Sequence, residues 1–246
     1  MVAWQSADGD VMSIGDVHVW IRRTAGMDER AVQEVVGLLS ADERARYERF
    51  HFARDRRDYA AAHALLRTAL SEYAKRPAAS APADWRFDTI AGGKPVLAPE
   101  TPAPLAFNLS HTRGCVAVAV TAGAPVGIDV EALDREPDVD GVADRFFGPD
   151  EVAWLRRADG RGRKERFFRL WTLKEAYLKA TGEGIAKSLH AIGFDVAPDG
   201  SVASFHAPPG MDASRWTFAT EHAAPGYLLS VAVEGISELR LVISRM

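Results

Sequence analysis

Three stretches carry side chains suited to phosphate chemistry: Phe107–His111, Val126–Glu131 and Phe167–Ile185. The last, FFRLWTLKEAYLKATGEGI, contains long-chain helix formers and no proline, which predicts a helix stopping at Gly182. At about 100° per residue, Phe167, Leu170, Trp171, Leu173, Tyr177 and Leu178 gather on one apolar side. Lys174 falls inside that stripe, while Glu175 and Lys179 lie one turn apart on its Trp171/Phe168 edge. A Lys among aromatics must snorkel or find an anion, because an unpaired buried charge is costly. The plain reading is a surface i,i+4 pair contributing about 0.2–0.5 kcal/mol. The sharper one is a cleft wall whose carboxylate and two ammoniums face a metal-bound phosphate.

In Val126-Gly127-Ile128-Asp129-Val130-Glu131 a period of two puts the apolar residues on one face. Gly127, Asp129 and Glu131 share the other, with the carboxylates about 7 Å apart. Hard cations such as Mg²⁺ take one or two carboxylates together with substrate phosphates. Gly127 leaves room beside Asp129 for a bulky group. The alternative is a solvated face of an antiparallel strand. Ser110 and His111 end a strand, where neighbours point to opposite sides, so they make a poor nucleophilic dyad. Both suit hydrogen bonding to phosphate. Lys94, held by Pro95 after Gly92-Gly93, sits in a turn beside the same sheet. Arg44, Arg46, Arg49, Arg54, Arg56 and Arg57 are interleaved with acids, which reads first as a solvated helix face and second as an anion site.

The elements that must position these groups fall into two similar series. The first has a strand at Val17–Arg22, a helix at Asp28–Leu39, a capping box at Ser40–Glu43 and a long helix at Arg54–Lys75. A hairpin (Trp85–Ile90, Pro95–Leu97) and strands at Leu105–Leu109 and Cys115–Thr121 complete it. The second has a strand at Val126–Val130, helices from Asp138, from Gly148 and over 164–181, then strands at Ala191–Val196, Val202–Phe205, Trp216–Thr220 and Leu228–Val233. Helix starts and terminal strands recur about 110 positions apart, as in a duplication. The expected architecture is α+β: two α/β subdomains, residues 1–124 and 125–246, with the site in the cleft between them. The segment Ser237–Ser244 has no assigned place.

With 246 residues, 47% apolar and 26% charged, the composition is that of a soluble globular protein. No apolar run reaches membrane-spanning length, and the N-terminus lacks a signal-peptide pattern. A net charge of −4 gives no general case for nucleic acid. A single cysteine, Cys115, excludes an internal disulfide or a cysteine zinc cluster and fits a reducing cytoplasm.

FNLSH, then GIDVE, then WTLKEAYLK, in this order and spacing, resemble the three signature blocks of the Sfp-type 4′-phosphopantetheinyl transferases. GGKPVL and RYERF…DRRDYAAAHALLR resemble that family's N-terminal half, so the resemblance runs from about Ser40 to Thr181. It implies a pseudo-twofold fold and transfer of phosphopantetheine from coenzyme A to a serine of an apo acyl or peptidyl carrier protein. The carrier would serve fatty-acid, polyketide, peptide or siderophore synthesis, and adenosine 3′,5′-bisphosphate would be released. Asp129, Glu131 and Glu175 would hold Mg²⁺ (or Mn²⁺), with Glu175 also the general base. Lys179, His111, and Lys174 or Ser110 would contact phosphates. Lys94, Pro95, Arg46 and Arg57 would lie near the nucleotide. Glu43 stands where Sfp-like members can carry a basic residue. A monomer is expected, because one chain supplies both sides of the cleft. A phosphohydrolase using the same carboxylates, and a non-catalytic binding module, are the alternatives.

Overall fold

The computed structural model describes residues 15–75, 82–90, 94–99, 104–182 and 189–246. The first series comprises β1 (Asp16–Arg23), α1 (Glu29–Gly37), α2 (Ala41–Glu48), α3 (Ala53–Tyr73), β2 (Phe87–Thr89), β3 (Pro95–Leu97), β4 (Ala106–Thr112) and β5 (Cys115–Thr121). The second comprises β6 (Val126–Ala132), α4 (Val139–Phe146), α5 (Pro149–Arg156), α6 (Gly160–Thr181), β7 (Gly193–Val196), β8 (Val202–His206), β9 (Trp216–Ala224) and β10 (Tyr227–Glu234). Strand β11 (Arg240–Arg245) follows. The expected order of elements is therefore present, with α6 starting four residues before the expected 164.

Two sheets, ordered β11-β1-β5-β4 and β6-β10-β9, pack face to face. Alternation decides which side chains go where. Val17, Val19, Ile21, Ala117 and Ala119 meet Ile128, Val130, Leu229 and Val231 between the sheets. The other face of β5, with Val116, Val118 and Val120, packs on Leu65, Leu66, Ala69 and Leu70 of α3. Leu228 and Ala232 of β10 pack on the same core as Leu173, Ala176 and Tyr177 of α6. Both faces of each central strand are thus buried, which explains the apolar run in β5 and the one in β10 that only Ser230 interrupts.

Strand β11 runs parallel to β1, in register from Asp16↔Arg240 to Ile21↔Arg245. Arg240 pairs with Asp16 through two hydrogen bonds, Nε to Oδ1 at 2.7 Å and Nη2 to Oδ2 at 2.5 Å. The segment without an assigned place is therefore an edge strand of the first sheet, although it follows the second series in sequence. Among the described residues no helix is long and apolar enough to cross a membrane.

The sheets are joined along β4 and β6 by side chains that replace a backbone ladder. Asn108 Oδ1 accepts from Ile128 N at 2.9 Å, and Ser110 Oγ accepts from Val130 N at 3.3 Å. This seam fixes the level of β4 against β6, and the chemistry sits on it.

Candidate active site

Helix α6 approaches β6 unusually closely. A Cβ built on Gly127 would lie 1.9 Å from the Ala176 carbonyl oxygen and 2.5 Å from Ala180 N. The room that Gly127 leaves is therefore filled by the helix backbone itself, a correction to the expectation of an added group beside Asp129. Glu175 and Lys179 flank this contact and so reach the acidic face of the strand.

Lys179 Nζ lies 2.6 Å from Asp129 Oδ1 and donates to Ser110 Oγ at 2.9 Å. Ser110 in turn donates to Asp129 Oδ1 at 2.9 Å. The other oxygen of Asp129, Oδ2, is buried without a partner, and so is Glu175 Oε1. Glu131 Oε2 accepts from Thr112 Oγ1 at 3.0 Å and pairs with Arg135 at 2.5 Å. Burial first, and then the Asp129 charge, push the Glu175 carboxyl up to about 7; Lys179 opposes this and Glu131 adds to it. Burial and Asp129 also raise Glu131, against the pull of Arg135 and Thr112. Three carboxyls thus feel one another electrostatically at the seam.

An orphaned buried carboxylate oxygen is expensive unless a cation satisfies it. Two such oxygens, one on β6 and one on α6 and both hard donors, fit a divalent cation such as Mg²⁺. Among the described residues no three His, Cys, Asp or Glu side chains stand as an assembled metal cluster. The acids are arranged for their pairs with Lys179 and Arg135.

Beside them lies a cavity of about 520 Å³, walled by Arg54 and Tyr59 of α3, His111 and Arg113 around the β4–β5 turn, and Glu131 and Arg135. Burial, then the Lys179 charge, hold the His111 imidazole below its usual range, so it is neutral at pH 7 and has one N–H to donate. The Arg46 guanidinium lies 5.7 Å above the Tyr59 ring. Arg57 Nε stands 3.5 Å from Asp58, which also lines the cavity. Lys94 donates to the Ala180 carbonyl at 2.9 Å, near the end of α6, and burial lowers its ammonium. Pro95 opens β3 opposite Thr89. Gly92 and Gly93 fall outside the described residues.

Lys174 is elsewhere. Its side chain is fully buried, 2.8 Å from Glu151 Oε2, and it donates to the carbonyls of Leu189 (3.0 Å) and Ile192. The anion that a Lys in an apolar stripe requires is thus the Glu that also receives the Gly148 and Phe194 amides. The phosphate contact expected of Lys174 is corrected accordingly. Glu43 is structural as well. It completes the capping box and accepts from His63 (3.0 Å) and Arg67 (2.8 Å), which outweigh its burial and pull its carboxyl down to about 2.

Arg113, Arg135 and Thr112 were not among the residues expected at the site, and Arg54 was read only within the arginine run whose second reading was an anion site. Arg113 and Arg135 follow His111 and Glu131 by two and four positions. The signal was a basic residue in the turn just after each motif strand.

Comparison with known proteins identifies the family. Residues 125–232 match the family model described as the 4′-phosphopantetheinyl transferase superfamily, and residues 28–123 match one described as 4′-phosphopantetheinyl transferase, N-terminal. The chain is 40% identical over 173 residues to the 4′-phosphopantetheinyl transferase HetI of Nostoc sp., covering 70% of this chain and 71% of that protein. It is 30% identical to a phosphopantetheinyl transferase of Thraustochytrium sp., covering 89% of this chain and 78% of that one. With Sfp of Bacillus subtilis the identity is 28%, over 87% of this chain and 89% of that protein. The chain belongs to the 4′-phosphopantetheinyl transferase superfamily. It is a transferase of the phosphopantetheine group.

Proposed function

We propose that the protein moves 4′-phosphopantetheine from coenzyme A to a serine hydroxyl of an apo acyl or peptidyl carrier protein, releasing adenosine 3′,5′-bisphosphate. The observation that carries this reading is the pair of buried, unpartnered oxygens, Asp129 Oδ2 and Glu175 Oε1, beside the Lys179 ammonium. Asp129, Glu131 and Glu175 would hold Mg²⁺ or Mn²⁺. When bound, that ion supplies charge neutralisation for the diphosphate of coenzyme A.

Each remaining role follows from a side chain already placed. Lys179, anchored by Asp129 and Ser110, offers its remaining N–H to a phosphate oxygen without moving. Neutral His111 donates from the cavity wall and does not compete with Lys179 for charge. The Glu175 carboxylate accepts the serine proton as the hydroxyl attacks phosphorus and the bond from phosphorus to the leaving bisphosphate breaks. The leaving bisphosphate carries its charge into the cavity, with Arg46, Arg57, Lys94 and Pro95 near the nucleotide. Positioning and charge neutralisation are what phosphoryl transfer chiefly requires. One chain supplies both sides of the seam, which supports a monomer, and the lone buried Cys115 is compatible with the cytoplasm.

Product analysis tests the reading. With coenzyme A, Mg²⁺ and an apo carrier protein, adenosine 3′,5′-bisphosphate appears only when carrier is present. Release of inorganic phosphate without any acceptor would establish a phosphohydrolase instead.

A further inference from the structure

The turn after β6 brings a cation back to the strand it has just left. Leu133 N donates to Gly226 O at 2.8 Å and Arg135 N to Ala132 O at 3.2 Å, folding residues 132–135 over the strand end. There Arg135 meets Glu131 Oε2, the oxygen that Thr112 Oγ1 already uses. Two donors take both lone pairs of that oxygen. The Glu131 side chain is only 13% exposed, so this pair is better shielded than an ordinary surface bridge. Arg135 itself is 49% exposed and lines the cavity, so it has somewhere to go.

We propose that Arg135 is an internal competitor for the divalent cation at Glu131 and sets how tightly the site takes metal. The inference rests on the reading of Asp129, Glu131 and Glu175 as ligands. A cation needs carboxylate lone pairs and is repelled by a neighbouring positive charge. With Arg135 and Thr112 on Oε2, Glu131 would have only Oε1 to offer a cation, and Oε2 would become available only with the guanidinium displaced toward the cavity. Each route loses affinity relative to a Glu131 that has no arginine. Asp129 is held on Oδ1 by Lys179 and Ser110 and keeps Oδ2 buried without a partner, so it presents one fixed oxygen to a cation.

The test is Mn²⁺ binding to the intact protein, followed by electron paramagnetic resonance of the free ion, without coenzyme A or carrier. Arg135→Met is expected to bind Mn²⁺ roughly fivefold tighter than the unmodified protein. Arg135→Lys keeps the charge and stays within about twofold of it. Circular dichroism establishes that both variants are folded. Equal or weaker Mn²⁺ binding by Arg135→Met overturns the inference. Asp129→Asn separates this from the underlying ligand assignment: it abolishes Mn²⁺ binding if the assignment holds. Undiminished binding in that variant removes the assignment, and the inference with it, whatever Arg135→Met does.

Discussion

Lys174 and Glu151, 23 positions apart, form an ion pair that solvent does not reach, with Nζ and Oε2 separated by 2.8 Å and side-chain exposures of 0% and 3%. Glu151 simultaneously caps α5 through the Gly148 amide, and Lys174 closes onto the carbonyls of Leu189 and Ile192. The pair thus ties three segments together behind the helix that presents Glu175. Breaking a buried pair leaves an uncompensated charge and costs about 3–5 kcal/mol, whereas replacing both partners by apolar groups is often neutral. Glu151→Ala should therefore lower the urea midpoint sharply, and Glu151→Leu with Lys174→Met should recover most of the loss. Similar destabilisation by the single and double variants would refute this description of the pair.

Glu175 trades stability for chemistry. Its folded carboxyl sits near 7, above the ordinary 4.5, so the folded state binds more protons than the unfolded one between those values. Stability then falls as pH rises through that window, and the cost is fully present above about 7. Without divalent cation, Glu175→Gln should be more stable than the unmodified protein by about 1–3 kcal/mol at pH 8. The difference should vanish near pH 4. Urea unfolding of both proteins at the two pH values measures it, and an advantage of Glu175→Gln over the unmodified protein no larger at pH 8 than at pH 4 would contradict the raised carboxyl.

Gly127 is needed for its lack of a side chain, not for its backbone freedom. A methyl at this position meets the Ala176 carbonyl oxygen at 1.9 Å, an atom of helix backbone that has no rotamer to change. Gly127→Ala should cost about 3 kcal/mol or more by forcing α6 away from β6. Because the same displacement withdraws Glu175 and Lys179 from Asp129, turnover should fall even under conditions where the variant is fully folded. Chemical denaturation together with steady-state rates tests both effects. Unaltered stability would mean that the contact is looser than the structure shows.

Much of this was legible in the sequence because local rules governed it. Period-two alternation put Asp129 and Glu131 on the face of β6 opposite Ile128 and Val130, and Ser40 with Glu43 announced the start of α2. The αL stop at Gly182 ends α6 as composition suggests. What escaped depends on contacts remote in sequence. Lys174 lies among the apolar residues of its helix as expected, but nothing local indicates that its anion is Glu151 rather than a ligand. Helical periodicity also assigned one apolar face to α6, whereas Phe168, Thr172 and Ala176 are buried too, since the helix is covered on several sides. The parallel pairing of β11 with β1 spans almost the whole chain, and no periodicity within either strand encodes it. Arg135 reaches Glu131 only because a turn reverses the chain after β6.

The most direct test of the proposed chemistry is the intact mass of an apo carrier protein after incubation with coenzyme A, Mg²⁺ and either the unmodified enzyme or Glu175→Gln. The unmodified enzyme should add one phosphopantetheine group to the carrier serine, while Glu175→Gln, binding coenzyme A equally well by calorimetry, should add none on the same timescale. Equal modification by the two proteins would remove Glu175 from the reaction. No modification by the unmodified enzyme, across several carriers that a proven transferase does modify, would contradict the proposed function itself.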